Sequence, residues 1–135
     1  MIHDGPIPFF VHGTLDYLVG ALLVVAPFLL GFDSGAATAV AIIAGVLVLA
    51  AAASTDGPTS LNNSIPVAVH VLIDLGAGVL FIAAPFLFGF SDEGAPTAFF
   101  IGLGVLEVLL VIATRFPRQA REMQPAGAEN TEGPH

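Results

Sequence analysis

One stretch of this chain, residues 7–32, occurs a second time at residues 65–90, and that duplication limits the fold more than any other feature. Ile7-Pro8 falls on Ile65-Pro66, Val11-His12 on Val69-His70, Asp16 on Asp74 and Gly20 on Gly78. Ala26-Pro27-Phe28-Leu29 returns as Ala84-Pro85-Phe86-Leu87, and Gly31-Phe32 as Gly89-Phe90. After a one-residue insertion the echo resumes, with Thr38-Ala39 on Thr97-Ala98 and Gly45-Val46-Leu47 on Gly104-Val105-Leu106. A repeat of this length means that one supersecondary unit is present twice and that the fold is to be sought in how the copies pack.

The environment follows from where charge is missing. Residues 35–54, 75–90 and 95–106 carry no Asp, Glu, Lys or Arg. Charged residues make up 10% of the chain and hydrophobic ones 56%, against roughly 25% charged in a soluble domain. Mean hydropathy is +0.90. Uninterrupted apolar runs of about 18 residues or more read as membrane spans. No segment shows the polar face that a soluble helix turns to water.

Local signals divide each unit into two helices. Pro8 suits a helix start, where a missing N–H costs nothing. The expected first span is residues 8–30, about 34 Å at 1.5 Å per residue, enough to cross the hydrocarbon core. Pro27 should loosen its last turn, and Gly31 to Gly35 forms a tight turn. The second span is expected over residues 36–54. A polar linker follows, from Ser54 to Ser64. The third and fourth spans are expected over residues 66–88 and 97–114, with an acidic turn over 89–96 between them. Phe9, Phe10, Phe99 and Phe100 fall near helix starts and read as interfacial or lipid-facing. Composition shifts from Arg115 onward to Pro, Gly, Glu and Arg, which reads as a flexible tail over residues 118–135.

The expected fold class is therefore all-α. It is a four-helix transmembrane bundle made of two tandem helical-hairpin repeats (residues 7–58 and 65–117), related by a pseudo-twofold axis along the membrane normal. Two-span units make the repeats parallel. Arg115, Arg118 and Arg121 are the only cations, and the positive-inside rule places the C-terminus in the cytoplasm. Four spans then bring the N-terminus and the linker to the same side of a prokaryotic cytoplasmic membrane. The start of the chain lacks the basic region of a cleavable signal peptide, so the first span is expected to be retained.

Arranged this way, the duplicated two-helix unit resembles the SPW repeat family. These are small prokaryotic membrane proteins with a Ser-Pro-Trp motif in the first helix of each pair. The resemblance covers about residues 7–115. This chain has Ala26-Pro27-Phe28 and Ala84-Pro85-Phe86 in those places and contains no Trp, so the Pro is kept and the Ser and Trp are not. The resemblance implies membrane topology and brings no activity with it.

The residues able to carry chemistry are few. His12, Asp16 and Gly20 lie one turn apart on the first helix, and His70, Asp74 and Gly78 repeat the stripe on the third. Asp16 should lie about 12 Å in from the helix start. Ionisable groups at such depth face the bundle interior, which turns the two stripes toward each other. Several readings follow. The stripes form a polar clasp between the repeats, with Gly20, Gly78, Pro27 and Pro85 serving helix packing. They form a proton or ion path. They bind a divalent metal. Finally, His12 and His70 ligate a b-type haem. Glu107 breaks the repeat, because its counterpart is Val48. It reads as a desolvated carboxyl, a hydrogen-bonded one, or a contact with a partner in the membrane.

A net charge of −8 and the absence of Lys exclude nucleic acid as a partner. Without Cys there is neither a disulfide nor a thiolate nucleophile or metal site. No phosphate-loop, nucleophile-elbow or zincin pattern is present. The expected role is thus non-enzymatic and cofactor-free, in contact with lipid and with itself or another membrane protein. A small proton-coupled or ion transporter is the alternative, and a haem or metal carrier the third.

Overall fold

The computed structural model describes residues 5–117. These residues form α1 (Phe9–Leu29), α2 (Gly35–Ser54), α3 (Val67–Leu87) and α4 (Gly94–Ala113), with two-residue strands β1 (Ile7–Pro8) and β2 (Thr114–Arg115). Each helix has 20 or 21 residues, about 30 Å of rise. All four are long and apolar enough to cross a membrane, and the chain is a small multi-pass membrane protein. Its outer surface agrees with that solvent: Phe28, Leu29 and Leu72 are each about 70% exposed, as lipid-facing side chains are.

Within each hairpin, α1 packs on α2 and α3 on α4 with their backbones in contact. Glycine makes this possible. A Cβ on Gly20 would sit 2.7 Å from the Leu49 side chain and 3.2 Å from the Gly45 carbonyl. On Gly78 it would sit 2.8 Å from Val108 and 3.0 Å from the Gly104 carbonyl. Small residues at a shared depth let membrane helices approach closely, where van der Waals contact drives association.

Both hairpins turn by the same device. Pro27 and Pro85 lie two residues before the ends of α1 and α3. Gly31 and Gly89 then take the left-handed conformation, with φ of 62° and 72°. The next residue folds back, Phe32 N–H to the Pro27 carbonyl at 3.0 Å and Phe90 N–H to the Pro85 carbonyl at 2.9 Å. This closure satisfies carbonyls that a helix end would leave open.

Between the hairpins the backbones touch at the end that holds the linker. β1 pairs with β2 in parallel, Ile7 opposite Thr114, while Thr55 makes an isolated parallel bridge to Ile65. Ile7 corresponds to Ile65 and Thr55 to Thr114 in the repeat, so this is one interaction made twice across the pseudo-twofold. At the opposite end Glu93 joins the two turns. Its carboxylate accepts from Asp33 N–H and Ser34 N–H, each at 2.8 Å.

Two expectations need correcting. The fourth helix begins at Gly94, not residue 97, because Pro96 is accepted inside the first turn, where it lacks no needed N–H. Phe99 and Phe100 therefore lie further into the helix and do not face lipid. Phe100 is fully buried in the core with Val19, Leu23, Ala41, Phe81 and Phe90, and Phe99 packs against that core. Phe9 is half-buried against Phe116, with ring centroids 5.9 Å apart, and Phe10 alone of the four is largely exposed. The tail expected over residues 118–135, including Arg118 and Arg121, lies outside the described residues.

Candidate functional site

His12 and Asp16 reach the interior from α1, and His70 and Asp74 from α3. All four are at least nine-tenths buried, with His12 wholly so. The stripes expected to face each other do meet. His12 Nε2 lies 3.0 Å from Asp74 Oδ2, and His70 Nε2 lies 3.0 Å from Asp16 Oδ2. Within each helix the circuit is completed by His70 Nε2 to Asp74 Oδ2 at 3.0 Å and His12 Nε2 to Asp16 Oδ1 at 3.4 Å. Nitrogen and oxygen ligand atoms alternate around this ring, all within 4.8 Å of one another.

The far side of each imidazole is held by a threonine that sequence reasoning missed. His12 Nδ1 lies 2.7 Å from Thr114 Oγ1, and His70 Nδ1 lies 2.5 Å from Thr55 Oγ1. Each hydroxyl also donates to the carbonyl four residues earlier, Thr114 to Leu110 at 2.5 Å and Thr55 to Ala51 at 2.7 Å. A hydroxyl has one proton to give. With that proton on the carbonyl, the oxygen accepts, so Nδ1 is the protonated nitrogen in both rings. Nε2 is thereby aimed at the carboxylates, either as the N–H of an imidazolium or as a lone pair with a cation in between. The signal for these threonines was present: Thr55 and Thr114 are equivalent in the register that follows the insertion. In the sequence Thr55 reads as a linker residue and Thr114 as a helix end.

The surroundings of the two histidines differ. Phe116 stacks edge-on to His12 at 5.1 Å and belongs to an apolar cluster with Val67 and Val111 that covers the end of the bundle. The position equivalent to Phe116 is Gly57, against which the Phe9 ring packs. Tyr17, whose counterpart is Leu75, donates to the Thr59 carbonyl at 2.8 Å and ties the linker to α1.

Glu107 lies one turn further in. It is 3% exposed, and a Cβ on Gly78 would come within 3.4 Å of its own Cβ. Gly78 follows Asp74 by one turn, so Glu107 stands beside the ring and within electrostatic reach of its four members. Its Oε1 has no hydrogen-bond partner among the described residues. A buried polar atom without a partner is rare enough to need a reason.

The arrangement limits the chemistry. The ring can hold two hairpins together, pass protons between carboxylates and imidazoles, or hold a cation. A porphyrin ligated by both His12 and His70 would need the space that the Asp16 and Asp74 carboxylates fill. A cleft of about 230 Å³ between α2 and α3 is lined by Ala44, Leu47, Val48, Ile73, Ala77, Leu80 and Phe81 and offers no polar side chain.

No curated protein and no solved structure matches this chain. A family model does: the SPW repeat domain covers residues 10–116, which takes in both hairpins, the ring and both threonines. With Ala-Pro-Phe at the two sites where the name of the family has Ser-Pro-Trp, the chain belongs to the SPW repeat family.

Proposed function

We propose that this is a non-enzymatic membrane protein with a structural or accessory role, exercised through helix–helix contacts, and that the His/Asp ring is the clasp that sets the geometry of its two hairpins. One observation carries the reading. Beside its contact with the Asp of its own helix, each histidine has a carboxylate of the other hairpin at 3.0 Å and a threonine of that same hairpin on its far side, so two contacts from each imidazole join the repeats. The apolar outer surface is left to lipid and to a second copy or another membrane protein. Orientation follows the cationic end, with termini and linker in the cytoplasm of a prokaryotic cell.

The chain has no Cys, so single cysteines at Asp33 and Asp92 can carry spin labels on the two turns. In mild detergent the wild-type protein is expected to give one narrow distance distribution. With Asp16→Asn and Asp74→Asn together it should broaden. An unchanged distribution would remove the clasp.

Glu107 favours a second reading, a proton or ion path through the ring. An unpartnered carboxyl one turn from a His/Asp cluster is what a relay uses. Proteoliposome flux that disappears in Glu107→Gln, with the hairpin distance preserved, would support the path over the clasp.

A further inference from the structure

We infer that the ring is also a binding site for one divalent first-row transition cation, of the zinc class. The ligands are His12 Nε2, His70 Nε2 and one carboxylate oxygen each from Asp16 and Asp74. The inference rests on the reading of the ring as the link between hairpins and adds an ion to it.

Size is the first argument. A tetrahedral centre with bonds of about 2.0 to 2.1 Å has ligand–ligand edges of about 3.3 to 3.4 Å. The nitrogen–oxygen contacts around the ring are 3.0, 3.0 and 3.0 Å to one oxygen of each Asp, and 3.4 Å from His12 Nε2 to the other oxygen of Asp16. All four ligand atoms stay within 4.8 Å of one another, so side-chain rotation alone draws them onto an ion.

The threonines supply the second argument, and it does not depend on the first. Metal-binding histidines commonly donate their remote N–H to a fixed acceptor, which sets the tautomer and the ring orientation. Thr55 and Thr114 do this for His70 and His12, and they turn both Nε2 atoms inward. An imidazolium in a clasp uses the same acceptor, and for a neutral ring the cation supplies the partner that the Nε2 lone pair needs.

Charge and donor type narrow the ligand. Two neutral imidazoles and two carboxylates carry a charge of −2, which one divalent cation cancels in a site with almost no water. An N₂O₂ set without thiolate suits zinc, cobalt, nickel or copper, whereas calcium and magnesium prefer oxygen alone. Each repeat supplies one His and one Asp. Neither hairpin is a site by itself, so binding is coupled to their association.

The test uses the full chain in mild detergent, stripped with chelator and then titrated with Co²⁺. The expected result is a visible band of four-coordinate, N/O-ligated Co²⁺ that saturates at one ion per chain and is displaced by Zn²⁺. Thr55→Val and Thr114→Val, which leave every ligand in place, should each weaken binding about 10- to 100-fold, with helical circular dichroism unchanged. Glu93→Gln, at the far end of the bundle, should bind as the wild type does. Absence of the band overturns the inference. So does a band that survives His12→Ala with His70→Ala, which would put the ion elsewhere on an acidic chain. So do threonine variants that bind as tightly as the wild type. If Co²⁺ fails to bind while the spin-label distance stays narrow, the ion falls and the clasp stands.

Discussion

The first hairpin and the second agree in some places and differ in others, and the two sets of positions do different work. They agree at the ring and its supports: His12 and His70, Asp16 and Asp74, Thr55 and Thr114, Gly20 and Gly78, and the Pro-Gly closures. They differ elsewhere along both pairs of equivalent helices, and three differences bear on the core and the ring. Ala41 stands opposite Phe100 within one core, Ser34 is replaced by Glu93, and Val48 by Glu107. Residues that form the ring, support it or close a hairpin stay the same. Residues that fill the space around the axis do not, because two large side chains cannot share one volume. Phe100 is fully buried, and so is Ala41 in the same cluster.

The largest test of this comparison is at the ring. Asp16→Ala and Asp74→Ala should each destabilise the bundle by about 3 to 5 kcal/mol, because each strands a buried partner. Equilibrium unfolding in mixed micelles measures both. A difference between them of more than about 1 kcal/mol would mean that the repeats are not equivalent where they look most alike.

Next is the filling of the core. Phe100→Ala should cost about 3 kcal/mol through the void it leaves. Ala41→Phe should cost about 1 to 3 kcal/mol by overpacking. Made together, the two should cost less than their sum if the volume one removes is open to the other, since they exchange large for small within one core cluster. Simple additivity in the same unfolding assay would show that Ala41 and Phe100 are independent.

Glu107 offers a change in the opposite direction. Glu107→Val gives α4 the residue that α2 has at Val48 and removes a buried carboxyl with an unpaired oxygen. If the carboxyl has no structural task, stability should rise by about 1 to 3 kcal/mol. A fall would reveal a partner that holds it in the membrane.

The smallest effect is expected at the turns. Ser34 caps its own helix, accepting from Ala37 N–H at 3.1 Å, whereas Glu93 reaches over to the first hairpin. Both Ser34→Ala and Glu93→Ala should cost about 1 kcal/mol. Only Glu93→Ala should speed hydrogen exchange at the Asp33 amide. Faster exchange there in Ser34→Ala as well would erase the distinction.

Much of this was legible in the sequence, and the reason is the solvent. Lipid requires every backbone group to be satisfied within its own segment, so long uncharged runs have few alternatives to helix. The repeat then fixed the pairing of stripes, and the cost of buried charge turned His12, Asp16, His70 and Asp74 inward. What stayed hidden depends on single contacts. Thr55 and Thr114 look like ordinary end residues until two imidazoles rest on them. Glu93 follows the pattern of a helix cap, yet its carboxylate bonds elsewhere. The reading of Phe100 as interfacial or lipid-facing fails because α4 starts at Gly94, before Pro96, which carries Phe100 about a turn deeper and into the core.

The linker at Thr55 to Ile65 has a consequence of its own. In a pair of separate, identical hairpins every side chain would be present in duplicate, so one core would have to hold two rings like that of Phe100, and two carboxyls like that of Glu107 would be buried. Covalent fusion removes that constraint. It lets one half carry features that the other lacks, and a solitary acid beside an otherwise twofold cluster is something that two identical hairpins could not provide.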